Sequence, residues 1–212
     1  VVMSPFSLPV MQMGFAAYLD LLVYQPKLFW QLMAINEQFC SNWANAQLAA
    51  GATAICYFDP VSSPSMVSPQ MYQKSGLVVA KRTIAEIGGP VATHFASGSC
   101  LEVLEDVIAT KSVAVGVGEG EEIEKIRDAS STRLSVIGNL NGIKMSRWSP
   151  EEARGNVMEL LAKAAPGGGF ILADGHGEIP WGVSHGVLSA ISDTVREFGV
   201  YGAGTAMNRG RG

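Results

Sequence analysis

The chain has 212 residues and a formal net charge of −4, with 48% hydrophobic and 16% charged side chains. This length and hydrophobic content predict one folded domain, residues 1–212, around one sizeable core. The acidic balance provides no basic field for nucleic acid or for an anionic membrane surface. We therefore expect neither nucleic acid nor membrane as a partner.

Cysteine usage and the opening segment bear on the cellular location. The three cysteines are Cys40, Cys56 and Cys100. An odd number without paired spacing is not typical of a disulfide framework, and favours a reducing, cytoplasmic setting. Residues 1–24 are apolar, but Gln12 and Asp20 interrupt them and no basic residue leads them. The segment therefore predicts neither a signal peptide nor a membrane span.

The chain alternates short apolar runs with helical patterns. The predicted strands are 1–3, 52–58, 90–95, 112–117, 134–137 and 169–173. The predicted helices are 26–51, 68–89, 100–110, one starting near 122, 149–165 and 184–198. Ser149 and Glu152 form a capping box around Pro150, which marks the clearest helix start. Continuous apolar strands separated by helices indicate a parallel sheet covered on both faces.

Polar residues follow nearly every predicted strand. They are Ser7, Asp59, His94, Glu119, Asn139 and His176. A (β/α)8 TIM-type barrel places all strand ends at one catalytic face, whereas a doubly wound sheet concentrates its site at one switch point. The first βα turn, 4–9, also lacks the glycine fingerprint of a dinucleotide site. The pattern favours an α/β barrel of which six βα units are present.

The richest of these ends is the stretch 173–180, which follows the last predicted strand. It places Asp174, His176 and Glu178 within five residues, between glycines that allow sharp turns. Two acids around an imidazole are typical of a catalytic or ligand-binding loop. By contrast, the acidic run 119–124 is typical of a solvated helix start, and His185, in the first turn of the last helix, is assigned no role.

Four motifs carry a family resemblance. They are Ser4-Pro5-Phe6-Ser7-Leu8, residues 51–60 ending in Phe58-Asp59-Pro60, Gly138-Asn139-Leu140, and residues 175–180. Together they resemble the uroporphyrinogen decarboxylase superfamily, which includes the decarboxylase of haem synthesis and the methylcobamide:coenzyme M methyltransferases. The resemblance covers about 4–198 and implies a (β/α)8 barrel. It also implies that this chain corresponds to the carboxyl-terminal two-thirds of a member, with two βα units preceding Val1.

The decarboxylase branch matches in one loop and departs in others. Gly175-His176-Gly177 before Pro180 is similar to that branch, whose histidine lies in the porphyrinogen cleft. However, Pro60 stands where the decarboxylase has a serine, and Met11 stands at its cleft tyrosine. A porphyrinogen also carries many carboxylates, yet none of the six strand ends offers an arginine or lysine.

The methyltransferase branch matches at Phe58-Asp59-Pro60 and binds zinc through a His-x-Cys motif and a later cysteine. Here His94 keeps the histidine, Ala96 replaces the cysteine, and His176 stands at the second cysteine. Cys100 opens a predicted helix, where the helix dipole favours thiolate, so it is a candidate replacement ligand. The alternative interpretation of Cys100 is a small, half-buried residue at a helix start.

The strand-end positions and the family resemblance together predict three groups of site residues. The catalytic group is His176, His94 and Asp59; the cofactor-binding group is Phe6, Phe58 and Asn139; the metal group is His94, His176 and Cys100. The first functional hypothesis is methyl transfer between a corrinoid (methylcobalamin) on a carrier protein and a small substrate, with zinc as Lewis acid.

Two alternatives stay open beside methyl transfer. One is cofactor-free decarboxylation of a tetrapyrrole, with His176 and Asp59 positioning the pyrrole. The other is a homologue that binds a tetrapyrrole or a partner chain without turnover, which the residues at positions 60 and 96 keep open. The resemblance also implies a homodimer formed through outer helices.

Overall fold

The computed structural model describes residues 1–201; the rest of the predicted domain lies outside the described residues. All six predicted strands are confirmed, with starts or ends shifted by one to three residues. They are β1 Val2–Met3, β2 Ile55–Phe58, β3 Val91–His94, β4 Ala114–Gly116, β5 Ser135–Leu140 and β6 Phe170–Asp174. The strand prediction succeeded because each strand lies within a mainly apolar run bounded by turn residues, although β6 is buried only at Phe170.

The strands form one sheet in the order β1-β2-β3-β4-β5-β6, and every neighbouring pair is parallel. A doubly wound sheet reverses its strand order at a switch point, whereas a barrel adds each strand beside the last. The observed order is the barrel order, which confirms the predicted α/β class with six βα units. The register pairs Phe58 with His94 and His94 with Gly116, so these strand ends lie level.

Ten helices occupy the connections of the described part. They are α1 Leu8–Met13, α2 Phe15–Tyr24, α3 Pro26–Ala49, α4 Pro69–Lys74, α5 Gly76–Ala85, α6 Leu104–Ala109, α7 Ile123–Ser130, α8 Gly142–Met145, α9 Pro150–Ala164 and α10 His185–Phe198. The predicted capping box at Ser149 is present, with both of its hydrogen bonds formed. None of these helices is long and apolar enough to cross a membrane.

Three helices were not predicted, and one prediction was wrong. Helices α1, α2 and α8 were not predicted. Helices α1 and α8 are short, and α1 and α2 lie in the apolar opening segment, where Gly14 at φ +83° separates them. The single helix predicted over 68–89 is two helices that meet at Ser75. There the Ser75 hydroxyl donates to the Met71 carbonyl at 2.6 Å, and Gly76 packs against Ser62 and Tyr72.

The core lies between the sheet and its covering helices. At its amino-terminal side, Phe6 packs edge-on against Tyr18 and Phe29, with ring centroids 5.8 and 6.2 Å apart. All three rings are essentially buried. This aromatic cluster fixes the loop after β1, and so one side of the barrel face at which all six strands end.

Candidate active site

The loops after β3, β4 and β6 bring a group of titratable side chains to the carboxyl end of the sheet. His94 ends β3, Glu119 follows β4, and Asp174 and His176 end and follow β6. Gly177 adopts φ +93°, a conformation that favours glycine, and a Cβ there would be in ordinary contact with the Phe58 ring, 3.4 Å away, and with His94, 3.9 Å away. This is the barrel face that carries chemistry in parallel barrels.

Asp174 shapes the loop that presents His176. Its Oδ1 accepts the backbone N–H groups of His176 at 2.8 Å and Gly177 at 2.7 Å. The N–H of Gly175 continues the sheet by donating to Leu140 at 2.8 Å. A carboxylate that accepts two consecutive N–H groups fixes a tight turn. Asp174 therefore determines the direction in which His176 leaves the strand.

Glu119 and His176 form the central pair. The Oε1 atom of Glu119 lies 3.3 Å from Nε2 of His176, and their side chains are only 23% and 20% exposed. Their contact depends on Gly175, where a Cβ would lie 2.6 Å from the backbone nitrogen of Glu119. The second atoms of both groups, Glu119 Oε2 and His176 Nδ1, are buried and find no hydrogen-bond partner within residues 1–201. Most buried polar atoms in native proteins have a partner, so these two unpaired atoms mark the pair as a candidate functional site.

His94 lies beside this pair with its ring held on three sides. It is 7% exposed, it covers Gly116, and its ring centroid lies 5.7 Å from that of Phe58. Its Nδ1 accepts the backbone N–H of Ala96 at 2.9 Å. Burial lowers the pKa of His94, and the carboxylate of Asp174 opposes that shift. The ring is therefore neutral near pH 7, with its proton on Nε2.

Asp59, predicted as catalytic, is enclosed by hydroxyl groups. It is 1% exposed, and its Oδ1 accepts hydrogen bonds from Ser4 Oγ at 2.6 Å and Ser7 Oγ at 2.7 Å. Burial raises the pKa of Asp59, while the hydroxyls of Ser4, Ser62 and Ser7 oppose the shift. The carboxylate thus links the loop after β1 to the end of β2, and it is closed to a substrate in this structure.

The predicted cofactor-binding residues lie in three different settings. Phe58 lies at the site against His94. The structure contradicts the prediction that Phe6 binds a cofactor, because Phe6 is fully buried in the aromatic core and offers no surface to a ligand. Asn139 lines a cleft, but its Nδ2 is engaged, donating to the carbonyls of Gly118 at 3.1 Å and Glu121 at 3.0 Å. It holds the loop that carries Glu119.

The predicted metal group is not assembled. Cys100 is fully buried, and its pKa is raised well above the usual range by burial, with the Glu121 carboxylate adding to the shift. Burial and the raised pKa disfavour a thiolate ligand and favour the other interpretation of Cys100, a small residue packed at a helix start. Glu121 also accepts the N–H groups of Cys100 at 2.9 Å and Leu101 at 3.0 Å, so it caps that segment.

The remaining predicted ligands do not fit zinc either. A metal on Nε2 of His94 needs the ring proton on Nδ1, where the Ala96 N–H already points. Across residues 1–201 no group of three or more histidine, cysteine, aspartate or glutamate side chains is placed to hold a metal. The donor set of this site therefore does not match a zinc centre.

The surroundings of the pair are acidic. A cleft of about 320 Å³ runs from Glu119 and Asn139 toward α9, with Glu121, Glu122 and Glu124 in its lining. Of the two lysines that line it, Lys163 is paired with Glu159 at 2.6 Å. The run 119–124 is thus more than a solvated helix start, since Glu119 and Glu121 have specific partners. Glu119 is not among the predicted site residues; the signal that could have found it is its position three residues after the end of β4.

Comparisons with known proteins agree on the family. The family model described as uroporphyrinogen decarboxylase (URO-D) matches residues 1–198. A uroporphyrinogen decarboxylase from Chlorobium phaeovibrioides is 29% identical over 163 residues, which cover 73% of this chain and 45% of the relative. One from Alkalilimnicola ehrlichii is 30% identical over 163 residues, 74% of this chain and 43% of the relative. The chain spans less than half the length of these curated relatives.

A solved structure agrees with the architecture. A methyltransferase from Methanosarcina mazei superposes with a TM-score of 0.83 at 20% sequence identity, covering 93% of this chain and 57% of the other. At that identity the likeness establishes the shared fold. It confirms the predicted barrel class over nearly the whole of this chain.

Proposed function

We propose that this chain, which belongs to the uroporphyrinogen decarboxylase family of enzymes, transfers a methyl group from a small methylated substrate to a corrinoid. A carrier protein would hold that corrinoid. The observation that supports this is the Glu119–His176 pair, 3.3 Å apart and partly buried, with an unpaired atom on each side chain. The corrinoid is a co-substrate in this proposal. Zinc has no part in it.

The residues supply the proton that such a transfer needs. When the bond between the methyl carbon and its heteroatom breaks, the methyl group passes to the corrinoid cobalt and the heteroatom retains the electron pair. A neutral heteroatom leaves more readily when it is protonated as the bond breaks. We assign the proton donor to His176, whose Nε2 lies 3.3 Å from Oε1 of Glu119, so that the pair can pass a proton to the leaving atom. Glu119 keeps the imidazole oriented.

Charge selects among substrates. Glu119, Glu121, Asp174 and Glu178 lie on the loops around the site, and Glu122 and Glu124 line the cleft beside it. Lys144 is the lining lysine without an ion pair among the described side chains. A polycarboxylate would meet repulsion here, whereas a neutral or cationic methylated compound would not. This favours a small methyl donor over a porphyrinogen.

Decarboxylation of a uroporphyrinogen-type tetrapyrrole is the second candidate. Its support is that the matched curated relatives carry the name uroporphyrinogen decarboxylase. In that reaction His176 would deliver its proton to the pyrrole-side carbon that loses carbon dioxide. Binding of a tetrapyrrole or partner without turnover is the third candidate.

One assay pair separates these functions. The purified protein is incubated with cob(I)alamin and a panel of methyl ethers, methylamines and methyl thioethers, and loss of the cob(I)alamin absorbance is followed. In parallel it is incubated with uroporphyrinogen, and the porphyrins are separated by chromatography. Methyl transfer without decarboxylation supports the proposal. Carboxylate loss from uroporphyrinogen, or tight binding without either product, overturns it.

A further inference from the structure

The loop after β3 has a backbone conformation that sets the chemistry of His94. Ala96 adopts φ +55°, in the left-handed region that alanine seldom occupies. This turn brings the Ala96 N–H back onto Nδ1 of His94, two residues earlier, at 2.9 Å. The turn is closed by the N–H of Gly98, which donates to Phe95 at 3.0 Å. The contact is thus part of a defined turn.

The ring is closely packed in the orientation in which Nδ1 faces the Ala96 amide. A Cβ at Gly116 would lie 2.1 Å from Cδ2 of His94 and 2.7 Å from its Nε2, so the ring fits only because that residue is glycine. Phe58 lies against it from the neighbouring strand, at 5.7 Å between centroids. Since Nδ1 accepts from a backbone amide in this fixed orientation, the proton of the neutral ring is on Nε2.

The Nε2–H group is the free end of this arrangement. In the described part of the chain it makes no hydrogen bond, although the residue is only 7% exposed. Nε2 of His94 is not one of the fully buried side-chain atoms that lack a hydrogen-bond partner. It therefore retains accessible surface and is not sealed inside the core. It lies at the end of β3, on the same face as Glu119 and His176.

We infer that His94 is a hydrogen-bond donor, which presents its Nε2–H to an oxygen atom of the substrate, and that the Ala96 N–H is the positioning group that fixes this tautomer. The substrate therefore carries an oxygen acceptor, such as an ether or carbonyl oxygen, next to the group that reacts. The inference deepens the proposed function and rests on it only for the identity of the substrate. In the zinc-binding branch that the sequence resembles, the corresponding histidine is a metal ligand. Here the Ala96 N–H donates to Nδ1 of His94, so Nε2 carries the proton and is a hydrogen-bond donor instead.

The tautomer can be measured without a substrate. The full chain is labelled with ¹⁵N-histidine, and two-bond ¹H–¹⁵N correlations are recorded near pH 7. The chain has three histidines, so the variants His176→Gln and His185→Gln assign the signals. We expect the Nε2–H pattern for His94. An Nδ1–H pattern, or an averaged pattern of both tautomers, would overturn the inference.

A zinc titration and a conservative variant give independent readouts. In His94→Gln the side-chain amide places an N–H near the position of Nε2–H but is a poor zinc ligand. By calorimetry with zinc chloride, we expect wild type and His94→Gln to bind zinc equally weakly, with His185→Gln as the matched control. Zinc affinity that falls tenfold or more in His94→Gln alone would identify His94 as a ligand and overturn the inference.

Turnover adds a third readout. We expect His94→Ala to lose about 10²–10³-fold in kcat, as when one preorganised donor is removed, and His94→Gln to keep about a tenth or more of the wild-type kcat. Equal losses in both variants would contradict donation by His94. The tautomer and zinc results need no turnover, so failure of this inference and failure of methyl transfer are distinguishable.

Discussion

Glu119 and His176 meet across a strand: they follow β4 and β6, which are separated by β5, and their side chains approach to 3.3 Å. The approach requires Gly175, because a Cβ there would collide with the backbone of Glu119. The contact also requires the turn that Asp174 fixes at the N–H groups of His176 and Gly177. Several elements therefore converge on one acid–imidazole pair.

Neutralising Glu119 should remove activity with little effect on folding. In Glu119→Gln the amide keeps the size of the side chain but removes the carboxylate that pairs with His176, so we expect a loss of about 10²–10⁴-fold in kcat. The matched control is Asp128→Asn, which removes an exposed carboxylate of α7 outside the cleft lining. Steady-state kinetics and thermal unfolding of both variants test this. Equal activity in the two variants would show that Glu119 does not serve the reaction.

We expect Glu121 to contribute to the stability of the folded protein. Its carboxylate accepts the N–H groups of Cys100 and Leu101, at 2.9 and 3.0 Å, across a sequence separation of twenty residues. Replacing it by alanine leaves both amides without that partner, which we expect to lower the free energy of unfolding by about 1–3 kcal/mol. Urea unfolding measures the change, and Glu124→Ala, at an exposed position of α7, is the control. A change no larger than the control's would contradict the cap.

Cys100 should react with thiol reagents only when the protein unfolds. Its pKa is raised by burial and by the Glu121 carboxylate, so the thiolate is scarce at pH 8. We expect labelling by an alkylating reagent to follow the denaturant dependence of unfolding. Cys56, which is partly exposed on β2, should be modified earlier, and mass spectrometry of the peptides distinguishes the two. Rapid modification of Cys100 in the native protein would refute the buried neutral thiol.

Asp59 should make stability fall with rising pH. Burial raises its folded-state pKa above the ordinary value of 3.8, so the native state retains this proton to a higher pH than the unfolded chain does. Its contribution is therefore fully present below about pH 3.8 and is lost as the pH rises through the folded-state pKa. Asp59→Asn cannot ionise.

Urea unfolding of Asp59→Asn and wild type at pH 4, 5, 6 and 7 tests that sign. We expect the stability of the variant relative to wild type to increase with pH. The control Asp128→Asn, at an exposed position of α7, should show no such trend. A relative stability that stays constant or declines from pH 4 to 7 would contradict a raised pKa for Asp59.

Local sequence patterns predicted the frame of this protein well. Apolar runs and turn residues located the six strands, and the capping box at Ser149 located a helix start within one residue. Position after a strand selects His94 and His176 as site residues, whereas Glu119, also noted at a strand end, lies in the run 119–124 that the charge pattern assigns to a solvated helix start. These features depend on short-range periodicity and on the topology of parallel barrels, which both follow from sequence.

The chemical state of the site residues could not be predicted in the same way. Whether Cys100 is a thiolate depends on burial among residues distant in sequence, and burial won over helix-end position. Whether Asp59 faces substrate depends on hydroxyls of Ser4 and Ser7 more than fifty residues away. The tautomer of His94 depends on the backbone angle of Ala96, which its residue type disfavours. Each is a tertiary property.

A double-mutant cycle on Glu119 and His176 tests the central claim most directly. The kcat of wild type, Glu119→Gln, His176→Gln and the double variant is measured in the methyl-transfer assay. If the two residues act as one proton-donating unit, the double variant will be about as slow as the slower single variant. Losses that multiply, so that the double variant equals the product of the single effects, would mean that the residues act independently and would contradict the account.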